Sequence, residues 1–310
     1  MRYPRCIGAI AFIALSMLLS HAALNSALGE ASSAAAAKPK KPECNPATFQ
    51  IVVDVGHTEE KVGARSARGA GEYEFNLRLA KRIEQDLLAA GFAKTKLMIT
   101  TDWKRTGLTA RAERANRLPA DLFLSIHHDS VPDRFLEKWE YEGEEHGYSD
   151  RFKGHSLFVS IDNGDYKGSV QFGKLLGNQL KERGLAYTPH YTEKFMGSRR
   201  RVLVDPQAGV YRYDQLIVLK STKMPAVLLE AGSIINRDEE LVMASEERQA
   251  LIGAAVVDAA KAFCTARAER SPTAAPKQPP TAAAKQQPAA AAKQQPAAAA
   301  KQQPTAATKR

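Results

Sequence analysis

After Gly29 the chain has no apolar run of the roughly 20 residues that a membrane span needs. The sequence alone therefore offers no span for an integral membrane protein, unless the N-terminus stays attached. Cysteine is nearly absent: Cys6, Cys44 and Cys264 are the three it has. Cys6 precedes the apolar stretch Ile7–Leu19, so there is no lipobox cysteine and no lipid anchor is expected. From Ser271 onward there is no acidic residue and no large apolar one, which excludes a packed core there.

What is present divides the 310 residues into four parts. Arg2 and Arg5, the apolar run and the small residues Ala22, Ala23, Ala27 and Gly29 read as a secretory signal peptide over residues 1–29. Residues 30–46 are rich in Ala, Ser, Lys and Pro and read as a flexible linker. Residues 47–265 have the size and patterning of one folded domain. Residues 266–310 read as a disordered tail, in which Lys277, Lys285, Lys293, Lys301 and Lys309 recur with a proline in every repeat. Much of the net charge of +10 sits in that tail. Together with an exported chain, this argues against nucleic-acid binding. Expected localisation is the periplasm or the cell wall, with no stable membrane anchor once the signal is cleaved. Cys44 and Cys264 flank the domain, and an oxidising compartment favours a disulfide between its two ends.

Within the domain, short apolar runs alternate with helical periods. Glu72–Ala90 carries Phe75, Leu79, Ile83 and Leu87 at four-residue spacing and ends at Gly91, which predicts a helix. Leu108–Leu118, Val170–Arg183 and a last helix capped by Ser245 follow the same logic. Strands are predicted at Ile51–Val55, Lys96–Thr101, Asp121–Ile126, Ser156–Ile161, Leu216–Leu219 and Ala226–Leu229. Val131–Gly154 reads as a long loop or lid, and Tyr187–Tyr213 as a second loop with aromatics beside Arg199, Arg200 and Arg201. The fold class expected is α/β: a mostly parallel twisted sheet with helices on both faces and a metal site at the carboxyl ends of the strands.

Three of the predicted strands end on groups that bind metals: His57 after Gly56, His127 after Ile126, and Glu230 after Leu229. A carboxylate placed directly after four apolar residues needs a partner or a metal ion. Zinc sites that hydrolyse substrates use His and Glu and leave one position open for water. A further ligand would come from Glu72 or Glu74 at the start of the first helix, and the residues alone do not choose between them.

The ordered set of motifs resembles the zinc-dependent N-acetylmuramoyl-L-alanine amidases of bacterial cell-wall remodelling. Asp54-Val55-Gly56-His57 is similar to the family's Asp-Pro-Gly-His, and Gly63-Ala64 follows at the family spacing. Glu72 precedes Asn76-Leu77 as the family's ligand glutamate does, and Leu108, Arg111 and Ala115-Asn116 match a further run. Ala120–His127 and Met224–Glu230, with Gly232 and Asn236, match two more. The resemblance implies one Zn2+ per chain, held by His57, Glu72 and His127, with Glu230 as the catalytic carboxylate. It implies hydrolysis of the bond between the lactyl group of N-acetylmuramic acid and L-alanine in peptidoglycan, in wall remodelling or daughter-cell separation. Asp54 and His128 are candidates for supporting the ligands or the oxyanion.

The sequence departs from the family pattern at Thr58-Glu59, His128 and Ser233, which bears on pocket shape rather than on the ligands. Some members carry a helical insertion that covers the zinc and awaits a protein activator. Here the span Asp162–Ser169 is too short for one, which leaves 131–154 as the place for a gate, with Glu137, Glu140, Glu142, Glu144 or Glu145 reaching the metal. A zinc peptidase cutting within the stem peptide and a non-catalytic wall-binding protein are the competing readings.

Overall fold

The computed structural model describes residues 43–101 and 107–270. The expected signal peptide, residues 30–42 of the expected linker, and the tail from 271 lie outside the described residues. In chain order the elements are β1 (Ile51–Val55), α1 (Glu72–Ala89), β2 (Lys96–Met98), α2 (Gly107–Asn116) and β3 (Leu122–Asp129). Then come β4 (Glu137–Tyr141), β5 (Glu144–Tyr148), β6 (Ser156–Val159), α3 (Tyr166–Glu182), β7 (Val202–Asp205) and β8 (Val210–Arg212). The last are α4 (Ile217–Lys220), β9 (Ala226–Ser233), α5 (Arg237–Ala244) and α6 (Glu246–Arg270).

Seven strands form one sheet in the order β2-β1-β3-β9-β6-β8-β7. β2, β1, β3 and β9 run parallel; β6 is antiparallel to β9, β8 parallel to β6, and β7 antiparallel to β8. Side chains alternate between the faces along each strand. One face carries Val53, Leu124, Leu157 and Leu229 and packs against α1, α3 and α6 through Ile83, Leu176 and Phe263. The other carries Val52, Phe123, Phe158 and Leu228 and is covered by less, with Ala115 of α2 and Val218 and Leu219 of α4. On that second face the parallel strands change character along their length. Val52 gives way to Asp54, Phe123 to Ser125 and His127, and Leu228 to Glu230, so the polar ends share one corner of the sheet.

The helices form where the periodicity places them. Phe75, Leu79, Ile83 and Leu87 of α1 are all buried, and Gly91, at φ 92°, closes it in a conformation that suits glycine. Ser245 Oγ accepts the amide of Arg248 at 3.2 Å and starts α6. By length and composition α6 could cross a membrane, but half of its apolar window is buried inside the domain. Cys44 and Cys264 are joined in a disulfide, Cα to Cα 5.2 Å, which ties the start of the domain to its last helix.

Several elements differ from the sequence reading. α6 runs to Arg270, five residues past the expected domain end at 265, because its helical hydrogen bonding continues to the last described residue. Leu216–Leu219, read as a strand from its β-branched and apolar content, contributes instead to the helical turn α4. The Asn163 side chain holds the Leu219 carbonyl at 2.8 Å, and Lys220 N bonds back to Leu216. β3 and β9 extend past their expected ends, so His127 and Glu230 lie within strands rather than after them. Val131–Gly154 contains an antiparallel hairpin, β4 and β5, turned by Glu142 and Gly143, both with positive φ. Trp139 Nε1 anchors it by donating to the Ala67 carbonyl at 2.8 Å. The second expected loop contains the 3-10 turns His190–Thr192 and Lys194–Arg199 and the strands β7 and β8.

Candidate metal centre

His57 follows β1 in the left-handed region, at φ 65°, an unusual conformation for a residue with a side chain. Its carbonyl accepts Nη2 of Arg111 at 2.7 Å, and Gly56 N bonds to the Ile126 carbonyl at 3.0 Å. Arg111 is itself buried and stands 3.5 Å from Asp54 Oδ1, while Ser125 Oγ donates to Asp54 Oδ2 at 2.7 Å. Burial pushes the Asp54 carboxyl up, and the Arg111 charge opposes it. Asp54 thus braces the turn beneath His57.

Glu72 is the first residue of α1 and is buried, whereas Glu74 is exposed, so the structure brings Glu72 and not Glu74 into the site. Its Oε2 lies 2.9 Å from His57 Nε2 and its Oε1 2.9 Å from His127 Nδ1. Asn76, one turn along α1, donates to Oε1 at 3.1 Å, and the amide of Ala64 donates to Oε2 at 3.2 Å. Burial alone would raise the Glu72 carboxyl; the hydrogen bonds and charges of His127 and His57 outweigh it and hold the group well below the usual range. Ligand atoms of His57, Glu72 and His127 all fall within 4.8 Å of one another, a group that could hold a metal ion.

Glycine makes this approach possible. A Cβ on Gly56 would lie 2.5 Å from Nε2 of His127, and one on Gly63 would lie 2.5 Å from Oε2 of Glu72. His128 is buried on the other side of β3, its Nδ1 2.8 Å from Asn76 Oδ1; burial holds its imidazole down to about 3. Its backbone amide donates to Glu72 Oε1 at 3.3 Å, its ring meets Asn76, and it borders the polar cleft.

Glu230 pairs in register with His127 across β3 and β9. Burial pushes its carboxyl well above the usual range, and the charges of Asp129 and Glu72 add to the shift. Its Oε2 is buried with no hydrogen-bond partner among the described residues. Asp129 is also buried and accepts the Tyr191 hydroxyl at 2.7 Å; burial raises it to about 7 against that hydrogen bond.

Two grooves meet at these residues. A polar cleft of about 220 Å³ is floored by His57, Glu72, His127, Asp129 and Glu230 and walled by Tyr191, Met196, Arg199, Arg201 and Tyr213. A more apolar groove of about 280 Å³ lies against His57, His127 and Glu230, lined by Leu108, Leu216, Ile217 and Val218. None of the hairpin acids Glu137, Glu140, Glu142, Glu144 or Glu145 lines either groove. The walls of the polar cleft come from residues 191–213, where the cluster of arginines and aromatics gave the signal, and not from the acids of 131–154 expected to gate the metal. Asn76 and Arg111, which fix Glu72 and His57, were visible only as parts of motifs.

A His–Glu–His donor set at the polar corner of a mostly parallel sheet defines an α/β protein with a metal-binding centre. The chain belongs to the N-acetylmuramoyl-L-alanine amidase family, which residues 51–262 match. It is similar to the N-acetylmuramoyl-L-alanine amidase AmiC of Escherichia coli, 24% identical over 238 residues covering 69% of this chain and 52% of that protein. It is also similar to the probable cell wall amidase LytH of Staphylococcus aureus, 26% identical over 218 residues, covering 70% of this chain and 58% of that one. The chain thus spans little more than half the length of these relatives. The N-acetylmuramyl-L-alanine amidase of Mycobacterium smegmatis shares the fold, with a TM-score of 0.54 at 19% identity, over 72% of this chain and 99% of that structure. So does the N-acetylmuramoyl-L-alanine amidase of Clostridium difficile 630, with a TM-score of 0.52 at 18% identity, over 70% of this chain and 97% of that structure.

Proposed function

We propose that the protein hydrolyses the amide between the lactyl group of N-acetylmuramic acid and L-alanine in peptidoglycan, using zinc held by His57, Glu72 and His127. The observation that carries this reading is the convergence of those three donors beside a half-buried carboxylate, Glu230, one of whose oxygens is buried and unpartnered, in a member of the amidase family. The donor set suits zinc: two imidazoles and one carboxylate, with Gly56 and Gly63 leaving room for their approach. When bound, zinc lowers the pKa of water towards about 7 and polarises a carbonyl.

The remaining chemistry belongs to the chain. Glu230 takes a proton from the attacking water as its oxygen bonds to the lactyl carbonyl carbon. The same carboxyl then passes that proton to the alanine nitrogen as the C–N bond breaks. A lactyl carboxylate and a stem peptide with a free amino terminus remain. Burial serves this role, because it raises the affinity of Glu230 for the proton it must carry. Asn76 and the Ala64 amide orient Glu72, while Arg111 fixes the backbone that presents His57.

We infer that the protein works outside the cytoplasm, where the Cys44–Cys264 disulfide persists. Between β6 and α3 lie only residues 160–165, so no blocking helix occupies that place. Mass spectrometry of digested peptidoglycan tests the reading. Intact stem peptides beginning with alanine, together with peptide-free glycan, are expected. Peptides cut internally, with alanine still on the glycan, would assign a peptidase instead.

A further inference from the structure

Several arginines of this domain have carboxylate partners among the described residues. Arg68 pairs with Glu240, Arg183 with Asp258, Arg237 with Asp150 and Arg267 with Asp165. In the apolar groove, Arg111 is taken up by Asp54, Thr100 and the His57 carbonyl. The two arginines on the wall of the polar cleft differ. Arg199 is exposed and makes no hydrogen bond or ion pair among the described residues. Arg201 lies 3.6 Å over the ring of Tyr213 and donates Nη1 to the carbonyls of Ser198, at 3.3 Å, and Arg200, at 3.0 Å. Its Nε is buried without a partner. The guanidinium of Arg201 is therefore fixed in place, but by neutral groups, and its charge is left for something that enters the cleft.

The adjoining surface continues the pattern. A shallow groove of about 650 Å³ shares Met196 and Arg199 with the cleft and leads past Gly197 to Arg134. Two arginines, Arg199 and Arg134, thus face this groove, with one acid, Asp133, between Pro132 and Arg134. Arginine recognises carboxylates by paired, charge-assisted hydrogen bonds, and a rigid fork held by packing loses little entropy in doing so. Peptidoglycan supplies carboxylates on one arm: the glycan offers hydroxyls and acetamido groups, whereas the stem peptide carries free carboxyl groups beyond its first alanine.

We propose that Arg199 and Arg201 bind the free carboxylates of the stem peptide, so that the peptide arm of the substrate lies in the polar cleft. The identity of the ligand rests on the amidase reading. Electrostatic offset of the acidic floor by the same two arginines is the alternative, and it gives no reason to favour an acidic peptide over a neutral one.

The test measures binding of L-alanyl-D-glutamate γ-methylamide, whose α-carboxylate is free, and of the corresponding α-amide, which has no side-chain or terminal carboxylate, to the zinc-loaded full chain by calorimetry. The acid is expected to bind about tenfold or more tightly than the amide. Arg199→Gln and Arg201→Gln should each cut that preference while leaving affinity for the amide nearly unchanged. Arg201→Lys, which keeps charge without the fork, should retain part of it. Arg199→Gln removes an exposed side chain that makes no hydrogen bond or ion pair, its charge acting on Asp129 only through space, so a nearly unchanged melting temperature is expected for that variant. No preference in the parent protein, or a preference that survives in both Gln variants, would overturn the proposal. Loss of preference in the variants of a chain that fails to hydrolyse muramoyl peptides would retain the carboxylate site and reject the amidase reading.

Discussion

His127 and Glu230 face each other as register partners across the parallel strands β3 and β9. Because side chains alternate along strands, this pairing puts an imidazole of the metal group and the Glu230 carboxylate on the same face of the sheet. Their separation is set by the spacing of two hydrogen-bonded strands, not by a mobile loop. The proposed division of labour rests on this: one strand would help to hold the ion, and its neighbour would present the proton carrier.

Gly56 tests how tightly that arrangement is built. A methyl group there would lie 2.5 Å from Cε1 and Nε2 of His127 and 2.6 Å from the Ile126 carbonyl. Gly56→Ala is expected to weaken zinc binding by about tenfold or more, as loss of ligand support does. Titration against a chelator of known affinity measures it, and unchanged affinity would show that the ring has room to move.

The disulfide closes a sequence separation of 220 residues. Replacing Cys44 and Cys264 with Ser is expected to cost about 2–5 kcal/mol, and to lower the melting temperature by about 5–15 °C. Thermal unfolding with and without reductant checks this. A melting temperature that responds to neither change would mean that the clasp adds nothing to the packing of α6.

Below neutral pH two buried imidazoles should destabilise the fold, against an opposite contribution from Asp129, whose carboxyl is raised by burial to about 7. Burial holds the imidazoles of His155 and His190 down to about 4, against about 6.5 in an unfolded chain. Between those values the unfolded imidazoles bind more protons, so their contribution to stability is full above pH about 6.5 and falls as pH drops towards 4. Urea midpoints at pH 7 and pH 5 should show that loss, and His155→Leu should make it smaller. An equal loss in the variant would remove His155 from the account.

The hairpin is expected to be a bystander to turnover. Lys138 pairs with Glu145, Tyr148 donates to Glu137, and none of its acids lines the cleft. Changing Glu137, Glu140, Glu142, Glu144 and Glu145 to Gln should leave muropeptide release unchanged. A rise in activity would restore the gate that the sequence suggested.

Much of the centre was legible because its residues sit at sequence landmarks. His57 follows an apolar run and a glycine; Glu72 opens a helix of clear period; Glu230 interrupts a buried strand. The extent of β3 and β9 was not legible, since pairing past His127 depends on the neighbouring backbone continuing to Asp129 and Ser233. The wall formed by Tyr191, Arg199, Arg201 and Tyr213 was also hidden, because short 3-10 turns have no period to read. Leu216–Leu219 misled for a related reason: its residues favour strands, but side-chain bonds to local carbonyls fix a helical turn.

The most direct test of the central claim measures zinc content and muropeptide release together in the parent protein, in His57→Ala and in Glu230→Gln. The account predicts one zinc and full release for the parent, and loss of both in His57→Ala. It predicts retained zinc with release reduced by about two to four orders of magnitude in Glu230→Gln. Release that survives in Glu230→Gln, or zinc that leaves with Glu230 and not with His57, would contradict it.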